Sequence, residues 1–125
     1  MSCMKKMAAF NPLAGLDADR YQSLAMRTCS INENDNDKLM HGVLGLASEA
    51  GEVTGIFQKI YQGHDFDKTH LVKECGDCLW MLAEILDAIH VPMSECMEMN
   101  IQKLQARYPD GFEAEKSLHR QAGDI

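Results

Sequence analysis

Glu49-Ala50-Gly51-Glu52 and Glu74-Cys75-Gly76-Asp77 each place two carboxylates at i,i+3 spacing. In a helix that spacing sets both acids on one side of one turn. Two such helices packed together would converge four carboxylates on a small volume, where like charges repel unless a cation sits among them. An all-oxygen cage of this kind suits Mg²⁺ or Mn²⁺, hard ions that keep open positions for phosphate oxygens and water. The chemistry implied is metal-assisted work on a phosphate compound. One isolated E-x-x-E is most often a solvated helix face. Here there are two pairs, each beside a glycine (Gly51, Gly76) that permits close approach, and each bordering a long apolar seam.

The elements that must position these groups read as helices, with no convincing strand alternation. A first helix is expected over residues 17–28, after the breakers Asn11, Pro12 and Gly15. The polar run 32–37 supplies caps for a second helix that ends near Gln62, before Gly63. Asp67 and Thr69 can cap a third, ending near His90 before Val91-Pro92. Ser94 is expected to cap a fourth, running to Arg107 and stopping at the turn Tyr108-Pro109-Asp110-Gly111. The remainder, residues 113–125, reads as a polar tail.

Leu39, Val43, Leu46, Ala50, Val53, Phe57 and Ile60 alternate steps of four and three, as do Val72, Cys75, Leu79, Leu82, Leu86 and Ile89. These are the expected seams of an antiparallel, four-helix-bundle-like all-α fold. Beside them run two acidic lines, Gly45, Glu49, Glu52, Ile56 and Lys59 on the second helix, and His70, Glu74, Asp77, Met81 and Glu84 on the third. Asn100, Lys103 and Arg107 form a polar stripe on the fourth helix, opposite Met97, Ile101 and Leu104. Two acidic stripes and one basic stripe would cradle a metal-bound polyphosphate. Leu71, Cys78 and Ile85 widen one apolar face and Trp80 extends another, more than one short chain can cover. The core is therefore expected to be completed in a homodimer or homotetramer.

Composition narrows the alternatives. At 125 residues the chain fits one domain, and 46% hydrophobic with 25% charged residues is ordinary for a globular protein. A net charge of −7 disfavours nucleic acid as a partner. No run approaches the ~18 apolar residues of a membrane span, and residues 1–16 make a poor signal peptide, so the cytoplasm is the expected compartment. The five cysteines form no secreted disulfide framework. Cys75-x-x-Cys78 lacks the second pair that a structural zinc site needs, and both thiols are read as small core residues. No Walker-type loop, nucleophile elbow or G-x-G-x-x-G occurs.

The stretch Leu44-Gly45-Leu46-Ala47-Ser48-Glu49-Ala50-Gly51-Glu52-Val53 resembles the signature of MazG-type nucleoside triphosphate pyrophosphohydrolases. So does Lys73-Glu74-Cys75-Gly76-Asp77-Cys78-Leu79-Trp80, and the run from Asn100 to Phe112 resembles the family's third block. Ser48 stands where glycine is common, and Cys75 and Cys78 occupy usually aliphatic positions, but no carboxylate is lost. The resemblance covers residues 21–112 and implies an all-α NTP pyrophosphatase fold with Mg²⁺-dependent hydrolysis of (d)NTP to (d)NMP and pyrophosphate, in nucleotide-pool housekeeping. It implies that Glu49, Glu52, Glu74 and Asp77 bind Mg²⁺ or Mn²⁺, and that Lys59, Asn100, Lys103 and Arg107 hold the phosphates. Either Glu49 or Glu52 would accept the proton of the attacking water. Tyr21, Gln22 and His41 are placed as contacts to the base. A related enzyme, such as a phosphoribosyl-ATP pyrophosphohydrolase, or a non-enzymatic helical interaction module would share parts of this pattern. The expected organisation is an extension over 1–16, a helical domain over 17–112 and the polar tail.

Overall fold

The computed structural model describes residues 11 and 13–124, so most of the expected N-terminal extension lies outside the described residues. The described chain is all-helical: α1 (Ala18–Met26), α2 (Asp35–Tyr61), α3 (Lys68–Ala88), α4 (Met93–Arg107) and α5 (Ala114–Leu118). Short polar side chains start the first three. Asp17 accepts from the Arg20 amide, Asn34 from the amides of Asn36 and Asp37, and Asp67 from that of His70. The two long helices end alike. At α2 the Gly63 amide bonds Ile60 O and the His64 amide bonds Lys59 O, with Gly63 at φ +96. At α3 the His90 amide bonds Asp87 O and the Val91 amide bonds Leu86 O. Here a histidine takes the left-handed position, at φ +58, and its ring Nε2 lies 2.7 Å from Asp35 Oδ2.

The fourth helix departs from expectation at its start. Ser94 lies inside the first turn, after Pro92, and does not cap. Its amide and hydroxyl instead donate to the two carboxylate oxygens of Asp19 on α1, at 2.9 and 2.6 Å. Those bonds hold the Asp19 carboxyl below its ordinary range. The tail also has structure: α5 forms within it, and Asp124 accepts from Arg107 Nε at 2.6 Å.

Helices α2 and α3 pack antiparallel, Lys38 and His41 at one end meeting Asp87 and Glu84, and Gly45 meeting Met81 further along. The expected seams are only partly covered: Leu39, Leu46, Val53 and Ile60 on α2 and Leu86 on α3 are half-buried. Lys38, Gly42 and Ile56 are the buried positions on α2, whereas Val43 and Phe57 are exposed, as are Leu79 and Leu82 on α3. Glycines do allow the close approach, but not the two beside the acidic pairs. A Cβ at Gly51 or Gly76 would meet nothing within 4 Å. At Gly42 it would lie 2.8 Å from Ile85 Cγ1 and 3.2 Å from the Ile85 backbone nitrogen, and at Gly45 2.4 Å from Met81 Sδ.

A polar network runs along the same interface. Glu84 is fully buried, its two oxygens each 2.8 Å from His41 Nδ1, with the Cys29 thiol 3.6 Å from Oε1. Buried Lys38 pairs with Asp87. Burial works against the Lys38 ammonium, yet the Asp87 carboxylate outweighs it and holds the amine above its ordinary range. Helix α1 closes over this end of α3, where Ala25, Ala83 and Met93 form the apolar core with Trp80 against them. The Trp80 indole N–H donates to Ala25 O at 3.0 Å, so the extra surface it marks in the sequence is the seat of α1.

The Gly42 contact opposes a backbone atom, while the Gly45 contact opposes the end of a flexible side chain. Gly42→Ala should therefore cost about 1–3 kcal/mol, as overpacking does. In Gly45→Ala the Met81 side chain can move aside, and the gain in helix propensity, up to about 1 kcal/mol, offsets most of the cost. Chemical denaturation of both variants tests the contrast; equal stabilities would contradict this account of the interface.

Candidate metal centre

Residue types at the midpoint of the α2–α3 pair build the site. One carboxylate oxygen from each of Glu49, Glu74 and Asp77 lies within 4.8 Å of the others. Glu49 and Glu74 are half-buried and Asp77 is exposed, so the cluster has a sheltered side and an open one. Glu52 sits one turn beyond Glu49, exposed, and this group closes without it. Three oxygen donors in reach of one point, one side open, match what a hard divalent ion takes from a protein. Mutual repulsion of the three charges gives the cation its driving force.

The surroundings are set by α1 and α3. His70 Nε2 lies 2.9 Å from Glu74 Oε1, one turn back along the same helix. Tyr21 of α1 is close enough to Asp77 that its phenol is raised, by burial first and by that carboxylate second. Burial pushes the Cys78 thiol up, and Cys75, Glu49, Asp77 and Glu74 act in the same direction. The two thiols thus border the cluster instead of filling the core, Cys75 exposed and Cys78 half-buried.

The predicted phosphate ligands lie on α2 and α4. Lys59 is exposed in the last turn of α2, roughly 15 Å along the axis from Glu49. Asn100 and Lys103 are exposed on α4, whose main contact is with α1. The Arg107 guanidinium grips both oxygens of Asp124, a carboxylate where a phosphate was expected. Of the positions placed at the base, Gln22 is a strut. It is buried, its amide donates to Ala83 O and Val91 O, and its oxygen accepts from the Met93 amide at 3.0 Å. His41 is engaged by Glu84. Tyr21 alone of the three stands beside the cluster.

The fold and the cluster together define an all-α protein with an oxygen-donor centre on an antiparallel helix pair. Residues 34–112 match the model of the MazG nucleotide pyrophosphohydrolase domain. The chain is also 31% identical over 78 residues to the Gene 37 protein of Mycobacterium phage L5, covering 58% of this chain and 68% of the phage protein. No solved structure matches it. The chain belongs to the MazG nucleotide pyrophosphohydrolase family.

If the three acids form a cation site, saturating Mn²⁺ should raise Tm, by a free energy of about 2.7 kcal/mol at a hundred times Kd. Asp77→Asn should lose that response while its metal-free Tm stays level or rises, since a repulsive charge is gone. A thermal scan in which Asp77→Asn responds to Mn²⁺ like the wild type would rule the site out.

Proposed function

We propose that the protein hydrolyses a (d)NTP to (d)NMP and pyrophosphate, dependent on Mg²⁺ or Mn²⁺, in the upkeep of the nucleotide pool. The observation that supports this best is the convergence of Glu49, Glu74 and Asp77 across the α2–α3 interface, inside the segment that matches the family. A divalent ion held there would offset the triphosphate charge and polarise the α-phosphorus toward attack by water. Water adds to that phosphorus, the bond to the bridging oxygen breaks, and pyrophosphate leaves. With Glu49 committed to the cluster, Glu52 is the carboxylate left to accept the proton of the attacking water.

The two acids then separate by experiment. Glu52→Gln should lower kcat by about 100-fold or more, the range of a lost general base, while retaining Mn²⁺ binding. Asp77→Asn should lose both. Pyrophosphate release is followed across standard and modified nucleotides, with phosphoribosyl-ATP included as a substrate. No turnover of any nucleotide by the Mn²⁺-loaded wild type would reject the enzyme and favour a binding module.

The working form is a homo-oligomer in this proposal, a dimer or a tetramer of dimers. Buried apolar side chains are few among the described residues, and Ala25, Ala83, Ala88 and Met93 make up most of them. Meanwhile Leu44 is 63% exposed, Val72 61% and Ile101 53%. Those faces lie on α2, α3 and α4, which also carry the acids and the basic stripe, so a second copy covering them would decide where Lys103 and Arg107 sit relative to the phosphates. Light scattering at micromolar concentration should report at least a dimer, and a monomer there would defeat this part of the proposal.

A further inference from the structure

We infer that His70 is a positioning residue: its imidazole sets the orientation of the Glu74 carboxylate and thereby the affinity of the cluster for a divalent cation. This rests on the metal-centre reading above. The Nε2 to Oε1 distance is 2.9 Å, hydrogen-bond length. In a hydrogen bond to a carboxylate oxygen the imidazole N–H is the donor, since an ionised carboxylate can only accept. The bond removes freedom from a side chain that otherwise rotates about three torsions, and that side chain has a carboxylate oxygen within 4.8 Å of those of Glu49 and Asp77. Metal-ligating groups elsewhere are oriented in the same way, by a partner that touches the ligand and not the ion.

Local structure makes this partner available. His70 precedes Glu74 by one helical turn, so the two side chains meet without help from another helix. The first turn is itself fixed, because the His70 amide donates to the Asp67 cap at 3.1 Å. Burial is unequal across the pair: the His70 side chain is 43% exposed and that of Glu74 17%. The imidazole is thus open to solvent while the carboxylate it holds is mostly enclosed. As a bare surface ion pair this contact would matter little to folding. Its consequence falls on the cluster, since Glu74 supplies one of the three oxygens that lie within 4.8 Å of one another.

Isothermal titration calorimetry of the metal-free full chain with Mn²⁺, paired with metal-free Tm, tests the role in His70→Ala, His70→Gln and Glu49→Gln. Glutamine can donate to Glu74 from nearly the position of Nε2. His70→Ala should weaken Mn²⁺ binding by about 10- to 100-fold, the usual loss for an outer partner of a ligand, with metal-free Tm little changed. His70→Gln should recover most of the affinity. Wild-type affinity in His70→Ala overturns the inference, and so does an equal loss in the alanine and glutamine variants. If Glu49→Gln abolishes binding while His70→Ala retains it, only the role of His70 falls. If the wild type does not bind Mn²⁺, the metal centre falls with it.

Discussion

The approach of α2 to α3 at Gly42 and Gly45 is the constraint on which the rest depends. With no side chain at either position, the α2 backbone comes into contact with Ile85 and Met81. The next turn of the same face carries Glu49, and the facing turn of α3 carries Glu74 and Asp77. A wider separation would spread these acids beyond the reach of a single cation. The close line also brings polar groups together at its far end, where Glu84 is buried against His41 and Lys38 pairs with Asp87. Buried ionisable groups are tolerated only when paired, and Glu84 and Lys38 both are.

With Gly42 and Gly45 at the close contact, many apolar side chains of the expected seams and their neighbours remain outside. Val43, Leu44 and Phe57 on α2 and Val72, Leu79 and Leu82 on α3 stay exposed in one chain, as do Met97 and Ile101 on α4. The core that remains is small and lies off to one side, where α1 meets α3. Apolar side chains left exposed on these helices contribute little to the hydrophobic effect in one chain, since that effect is roughly proportional to apolar area buried. An association that covers the outer faces would supply what the single chain lacks, at the same helices that carry the chemistry.

Helix α1 links these parts. Gln22 bonds the backbone at Ala83, Val91 and Met93, and Asp19 holds Ser94, so α1 fastens the end of α3 to the start of α4. The same helix presents Tyr21 to Asp77, putting an aromatic ring at the edge of the acidic cluster. Position and chemistry are coupled through short-range contacts, and none of these residues is an obvious functional one in isolation.

The amino-acid sequence by itself determined the helical class, the positions of the four main helices and the pairing of acids within each turn, because all of these follow from local periodicity and caps. It also carried the motifs that mark the family, since motif order survives without knowledge of packing. Which face of each helix turns inward was decided only in three dimensions. Periodicity exposes two adjacent lines on α2, an apolar one and one with glycines and acids, and hydrophobicity favours the former. The structure makes its closest approach on the latter, at Gly42 and Gly45, and leaves Val43 and Phe57 exposed. For the same reason Gly51 and Gly76 looked suited to contact yet face open space, and Cys75 lies outside. The line that carries His70 and Glu74 followed from spacing, and their bond along it is seen in the structure. The occupation of Arg107 by Asp124, the diversion of Gln22 to structure and the separation of Glu52 from the other three acids were not, because each depends on contacts between residues far apart in the chain or on the distance between two helices.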